Sequence, residues 1–140
     1  MTPALAPEIT VLALAGLLQV LQIALMSVTA NRELPRGKTL GPRDPDKLGG
    51  SLMDQVSPRT GRIFRAMTNH FEALILFTLA VVVVTLSGRA STFTATCAWI
   101  YLAARILYVP AYAFGWVPWR SLIWMTGLIA TTLMILASLF

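Results

Sequence analysis

The sequence is 140 residues long, and 56% of its side chains are hydrophobic while only 12% are charged, against about a quarter charged in an average soluble domain. This composition indicates a membrane protein. Because one spanning helix takes about 20 residues, the length allows four spans and excludes a separate soluble catalytic domain. The net charge of +5 comes from basic residues between apolar runs, which we interpret as topology signals rather than a nucleic-acid surface. The single cysteine, Cys97, lies in an apolar run, which favours a packing role.

The first predicted span is residues 9–30, an uncharged run. No Lys or Arg precedes it, and it is longer than the apolar region of a secretory signal peptide, so we expect it to remain as a membrane helix. Residues 31–61 are predicted to form an extramembrane loop, because they are rich in Gly, Pro and charge. Four prolines in this loop exclude a long helix.

The remaining apolar runs predict spans at about 62–86, 92–114 and 121–140. The connector between the second and third spans is so short that these two helices must be antiparallel neighbours. The fold class is therefore predicted to be an all-α membrane protein, a bundle of four transmembrane helices that forms one domain over residues 1–140.

Basic residues are concentrated at one end of this bundle. Eight of the eleven Lys and Arg residues lie between Arg32 and Arg65, Arg120 closes the second turn on the same side, and the other side has Arg89 alone. The positive-inside rule then places both basic connections in the cytoplasm and both termini outside. Two tryptophans flank the second turn, which agrees with a position at the membrane interface.

A polar stripe begins the second span. Arg62, Arg65, Asn69 and Glu72 are spaced three, four and three residues apart, which places them within an arc of about 80° on a helix. Polar groups in a membrane helix must face the bundle interior, a partner or water, so we interpret this stripe as functional. Two alternatives are interfacial anchoring by the arginines and, for Asn69 and Glu72, a structural hydrogen-bonded pair between helices.

A second polar face runs along the third span, where Arg105, Tyr108 and Tyr112 follow helical spacing. An arginine midway along a span requires an anion, and Glu72 is the only carboxylate within the predicted spans. We therefore predict an ion pair between Glu72 and Arg105, within one subunit or across an interface. The tyrosines extend this face into a surface for a polar ligand, although interface aromatics are the alternative. The only histidine, His70, lies about 80° or more from the stripe and is not expected in the site, and no metal-ligand cluster is visible.

These residues resemble the MAPEG family, the membrane-associated proteins in eicosanoid and glutathione metabolism. The motifs are Arg62-x-x-Arg65-Ala66-x-x-Asn69-x-x-Glu72, Ala104-Arg105-x-x-Tyr108-x-x-x-Tyr112 and Arg120-Ser121. The resemblance covers essentially the whole chain. It implies a homotrimer that binds glutathione between subunits and acts as a transferase or peroxidase on lipophilic electrophiles or hydroperoxides. The short chain and its topology suit a bacterial inner membrane, with both termini periplasmic.

The resemblance also assigns roles to residues. The cofactor-binding candidates are Arg32, Arg62, Arg65, Asn69, Glu72, Arg105, Tyr108, Tyr112 and Ser121. It implies that the two tyrosines reach the cofactor from the neighbouring subunit. Arg120 is the catalytic candidate, because a guanidinium in a partly desolvated site favours the thiolate form of glutathione.

Other functions remain open from the sequence. Met67 and Thr68 stand where several family members have a histidine or other polar residues, so the stripe could bind glutathione without catalysis. The alternative is a non-catalytic scaffold or an accessory subunit of a larger membrane complex, with lipids as further partners. A small transporter is disfavoured, because no inverted repeat or broken helix is visible.

Overall fold

A computed structural model describes residues 5–140, so the first four residues of the predicted domain lie outside the described range. The helices are α1 (Pro7–Glu33), α2 (Arg36–Thr39), α3 (Pro45–Leu48), α4 (Pro58–Leu86), α5 (Thr92–Ala113) and α6 (Trp119–Ala137), with a 3-10 turn at Leu52–Asp54. Helices α1, α4, α5 and α6 are long and apolar enough to cross a membrane. The described part of the chain has no strand, and the predicted class, an all-α four-span membrane protein, is confirmed.

Two of the spanning helices begin earlier than the apolar runs because a proline opens each of them. Pro7 and Pro58 occupy the first turn of α1 and α4, where the missing N–H would have no partner within the helix anyway. Helix α4 therefore starts four residues before the predicted residue 62. The longer α1 also contains Glu8 and Glu33, so the expectation that Glu72 is the only carboxylate of the spanning helices is wrong.

Helices α4 and α5 form the centre of the bundle, because both pack against α1 and against α6. Their contact includes Phe77 and Tyr101, whose rings stack with centroids 3.9 Å apart. Small residues such as Ala80 and Ala98 are fully buried between the helices, while large apolar side chains such as Leu17 stand 60% exposed on the outer surface. An apolar exterior is what a helix bundle presents to lipid.

One end of the bundle is formed by the last turn of α1, the first turn of α4, the last turn of α5 and the first turn of α6, and we call it the basic end. The carboxylate of Glu33 closes the long loop at this end. It accepts hydrogen bonds from Ser57 N at 2.7 Å, Ser57 Oγ at 2.8 Å and Thr60 Oγ1 at 2.6 Å. These bonds place a negative charge at the start of α4, where the helix dipole favours it.

A second carboxylate lies at the opposite end and is buried. Glu8 is only 2% exposed, and Thr94 Oγ1 donates to its Oε1 atom over 2.6 Å. Ser91 and Thr94 form a reciprocal capping box at the start of α5. Glu8 therefore lies beside the positive end of the α5 dipole, which explains how α1 can bury a carboxylate there.

We predict that Thr94→Val destabilises the protein by about 1–3 kcal/mol, because buried Glu8 loses a hydrogen-bond donor and Ser91 N loses its acceptor in the capping box. Thr96→Val is the matched control, since the Thr96 hydroxyl is exposed and bonds only to Thr92 O of its own helix. The measurement is the free energy of unfolding of each variant in mixed micelles. Equal losses in the two variants would show that the bond to Glu8 contributes nothing.

Candidate functional site

The centre of the polar region is Arg105, which is 2% exposed although it carries a charge. Its Nη2 atom donates to Asn69 Oδ1 over 2.9 Å, so α5 and α4 are joined at this level. The same guanidinium lies 4.7 Å from the centroid of the Tyr108 ring, one turn further along α5. A buried arginine needs such partners, because an unpaired charge in a low-dielectric interior is costly.

The contacts continue from Arg105 toward the basic end. Tyr108 and Tyr112 meet edge to face with centroids 5.4 Å apart, and the guanidinium of Arg120 lies 4.9 Å from the Tyr112 ring. Cations and aromatic rings at these distances attract each other. We call Arg105, Tyr108, Tyr112 and Arg120 the arginine–tyrosine ladder. It runs from the buried interior to the first turn of α6.

Two cavities adjoin this ladder between α4, α5 and α6. The inner cavity of about 160 Å³ is lined by Asn69, Glu72, Ala73, Leu76, Tyr101, Arg105, Trp124, Gly127, Leu128 and Thr131. The outer cavity of about 220 Å³ is lined by Asn69, Tyr108, Tyr112, Arg120, Ser121 and Trp124. They share Asn69 and Trp124, so we treat them as one site cleft. Pockets for small ligands have volumes of roughly 300–1,000 Å³, so a ligand of tripeptide size would occupy both.

The structure brings together most of the residues that the sequence singled out. Asn69, Glu72, Arg105, Tyr108, Tyr112, Arg120 and Ser121 all line the site cleft. Three arginines do not. Arg62 lies against Gly115 in the turn before α6, and Arg65 is exposed near Gly61. Arg32 lines a different groove, between α1 and α5.

The polar stripe of α4 is too long for all of its residues to reach the site cleft. Arg62 precedes Asn69 by seven residues, which is about 10 Å along a helix. At that height α4 faces the turn between α5 and α6 rather than the cleft, and a Cβ built on Gly115 would lie 3.0 Å from the Arg62 Nη1 atom. Gly115 has φ +69°, a conformation that favours glycine. Arg62 therefore packs against a turn that leaves room for it.

The predicted ion pair between Glu72 and Arg105 is not formed within the chain. In the part of the chain that the structure describes, the only ion pair is Lys47 with Asp44 at 3.8 Å. Glu72 lines the cleft but is exposed, and Arg105 uses the amide oxygen of Asn69 instead. The two charges differ in burial, since Glu72 is exposed while the Arg105 guanidinium is buried beside Asn69. A pair formed across a subunit interface stays a prediction.

Tyr108 and Tyr112 belong to the cleft of their own chain. The resemblance implied that Tyr108 and Tyr112 come from the neighbouring subunit. In the structure they line the same cleft as Asn69 of the same chain, because α5 packs directly against α4. One chain therefore brings the amide, the phenols and Arg120 to one cleft, and contact of the tyrosines with the cofactor of a neighbouring subunit stays a prediction.

Arg120 and Ser121 of α6 were predicted, but three further residues of this helix in the site were not. Trp124, Gly127 and Thr131 line the inner cavity, and their spacing of three and four residues puts them on one helix face. A Cβ built on Gly127 would lie 3.6 Å from Arg105 Cδ and 3.7 Å from Ala104 Cβ. The signal was a small residue in an uncharged span, which permits close approach between membrane helices.

We expect Gly127→Ala to be tolerated, because a Cβ there meets its neighbours at ordinary contact distances. Gly127→Leu should overfill the contact, push Arg105 away from Asn69 and cost about 1–3 kcal/mol. Thr126→Leu is the control at the adjacent, exposed position. Unfolding in mixed micelles measures the difference. A Gly127→Leu protein as stable as the control would show that α6 does not confine Arg105.

His70 lies outside the site cleft. It is 1% exposed, and its Nδ1 atom is 2.6 Å from Gln19 Oε1 on α1. Gln22, one turn along α1, is also buried. Neither glutamine was predicted, because an uncharged polar side chain does not interrupt an apolar run, yet Gln19 gives the only histidine a structural partner between α1 and α4.

The fold and the cleft define a class: small four-span membrane proteins with an arginine-rich polar pocket between the helices. The profile of the MAPEG family matches residues 11–140, and the chain belongs to that family. No curated protein matches the sequence. Membership agrees with a glutathione-related function in a membrane.

Proposed function

We propose that the protein binds glutathione in the site cleft and is a glutathione-dependent transferase or peroxidase of lipophilic electrophiles or hydroperoxides. The observation that carries this proposal is the arginine–tyrosine ladder beside Asn69 and Glu72. Glutathione has two carboxylates, an ammonium group and two amides. The cleft offers guanidinium groups for carboxylates, a carboxylate for the ammonium, and amide and phenol groups for the rest.

The chemical character of the cleft changes along its length. Arg105 is buried at the inner end, so it suits a carboxylate that must be held away from water. Glu72 has no cationic partner within 4 Å among residues 5–140, and its carboxylate is free to accept bonds from an ammonium group. Leu76 and Leu128 line the same inner cavity, and they give an apolar substrate a surface to contact.

Arg120 is the proposed catalytic residue. Bound glutathione supplies a thiol that attacks electrophiles as the thiolate. Arg120 lies at the mouth of the cleft, partly exposed, with its guanidinium held over the Tyr112 ring. A fixed positive charge there stabilises a developing thiolate, and Ser121 beside it can donate a hydrogen bond.

We further propose that the working unit is a homotrimer in a bacterial inner membrane. Glu72 and Trp124 leave the cleft open on the α4–α6 side of the bundle, and a neighbouring subunit would cover this side. Arg32 and Arg65, which lie outside the cleft of their own chain, could then serve the cleft of a neighbour. The concentration of basic residues at one end supports an orientation with that end in the cytoplasm.

Binding and turnover test the proposal separately. Glutathione and its S-methyl derivative should both bind, as measured by calorimetry in detergent, and glutathione should then be conjugated to members of a small panel of aromatic halides, epoxides and lipid hydroperoxides. Absence of binding at millimolar glutathione would reject the proposal. Binding without turnover on any substrate would favour the non-catalytic scaffold. Native mass spectrometry gives the oligomer, and a stable monomer that binds glutathione would reject the shared site.

A further inference from the structure

A second groove lies on the other side of the bundle, between α1 and α5 at the basic end. Its volume is about 480 Å³, and it shares no lining residue with the site cleft. Its floor is apolar, with Leu25, Ile63, Val109 and Ala113 from three helices. Two arginines, Arg32 and Arg59, stand at its rim. The groove therefore combines an apolar floor with a rim that carries two arginines and the Glu33 carboxylate.

The two rim arginines form no ion pair within residues 5–140. Neither Arg32 nor Arg59 has a carboxylate within 4 Å in the described residues. The Glu33 carboxylate also lines the groove. It accepts hydrogen bonds from Ser57 and Thr60 at the start of α4 and keeps its negative charge, so two arginines and one carboxylate leave the groove with one net positive charge. Arg59 instead lies with its guanidinium 5.1 Å from the centroid of the exposed Phe114 ring. Such a contact orients the guanidinium without cancelling its charge.

We propose that this groove binds an anionic phospholipid, with the phosphate headgroup at Arg32 and Arg59 and an acyl chain along Leu25 and Val109. Leu25 lies eight residues before the end of α1, about 12 Å along the helix, so the apolar floor reaches from the headgroup level into the hydrocarbon region. Paired arginines match a phosphate in charge and geometry. A zwitterionic lipid adds a cation that this rim repels, so the groove should prefer a net negative headgroup.

The test compares phosphatidylglycerol with phosphatidylcholine of the same acyl chains, bound to the purified protein in a neutral detergent and counted by native mass spectrometry. The wild type should bind phosphatidylglycerol more tightly. Arg59→Gln should lower that preference about fivefold, the factor expected for one basic side chain near an anionic surface. Arg43→Gln is the control, because it removes the same charge from an exposed loop position outside the groove.

A second pair of variants tests the apolar floor. Val109→Trp narrows the groove and should weaken both lipids, whereas Ile106→Trp places the same ring on an outward-facing position of α5, 51% exposed, and should weaken neither. An unchanged lipid preference in Arg59→Gln would overturn the proposal, as would an equal loss in Arg43→Gln. Displacement of the lipid by inorganic phosphate alone would identify a soluble-anion site instead. A changed oligomer mass in Arg59→Gln would identify the groove as an interface between copies.

This inference uses Arg32, which the proposed function also assigns to the glutathione site of a neighbouring subunit, so the test is made at Arg59. Arg59 lies outside the site cleft, so glutathione binding should be the same in Arg59→Gln as in the wild type. Arg32 is left unchanged in the test because the family resemblance assigns it to glutathione. Loss of lipid preference with intact glutathione binding therefore supports the lipid site, whatever the outcome of the catalytic assays.

Discussion

Arg120→Leu should reduce conjugation at pH 7 by more than tenfold, while the protein stays assembled and still binds glutathione. A tenfold loss corresponds to about 1.4 kcal/mol of thiolate and transition-state stabilisation. The free thiol, with a pKa of about 8.5, is mostly protonated at pH 7. In the variant, only a small fraction of the bound glutathione is therefore present as the reactive thiolate. Its rate should rise with pH as the thiol ionises unaided, and the gap to the wild type should narrow.

The measurement is the thiolate absorbance and the initial rate from pH 6 to 9, normalised to folded protein. Tyr112→Phe is informative beside it, because it retains the ring that lies under Arg120 and should keep most of the low-pH activity. Arg36→Leu removes an exposed arginine at the same end, outside the cleft, and serves as the control for membrane anchoring.

The competing role for Arg120 is to anchor α6 at the interface, where arginine next to tryptophan is common. In that case Arg120→Leu would lose stability or topology, with turnover per folded protein unchanged. A wild-type protein that shows no thiolate signal at saturating glutathione would reject the catalytic role altogether. The pH dependence separates the two roles, since an anchor does not change the ionisation of a bound thiol.

The four spans could be predicted because hydrophobicity alone identifies a membrane helix. Their ends could not, because they depend on local capping. Pro58 reads as a loop residue in a scan for apolar runs, but it is the first residue of α4, with Ser57 as its cap. Glu8 was missed for the same reason, because it precedes the apolar run that begins at residue 9. Its burial depends on Thr94, a residue 86 positions away.

Within the site, the faces of α4 and α5 could be predicted from helical spacing, and both do line one cleft. The partner of Arg105 could not. Spacing gives the direction of a side chain around its own axis, but it does not give the height at which two helices meet. Charge alone favoured Glu72, whereas the packing of α5 against α4 brings Arg105 to Asn69. Gly127 was missed because its function is to leave space.

The packing of Arg105 leads to a prediction that distinguishes its two possible partners on α4. Asn69→Leu removes the acceptor of the Arg105 bond and should cost about 1.5–3 kcal/mol, the range for hydrogen bonds to charged groups. Arg105→Met removes the charge and leaves Asn69 without its donor. The double variant should lose less unfolding free energy than the two single variants lose together, because two apolar groups then replace the polar pair.

A parallel cycle with Glu72→Gln and Arg105→Gln tests the ion pair that the chain does not form by itself. If a neighbouring subunit brings Glu72 to Arg105, the two losses are coupled in the assembled protein, with about 3–5 kcal/mol for removing one partner of a fully buried pair. The same cycle should be additive after dissociation in a harsher detergent. The coupling of Asn69 to Arg105 should persist in both states, because both residues belong to one subunit. Additive losses in the Asn69 cycle, together with coupling of Glu72 in the dissociated subunit, would show that Arg105 is held by the carboxylate and that the hydrogen bond to Asn69 has no energetic role.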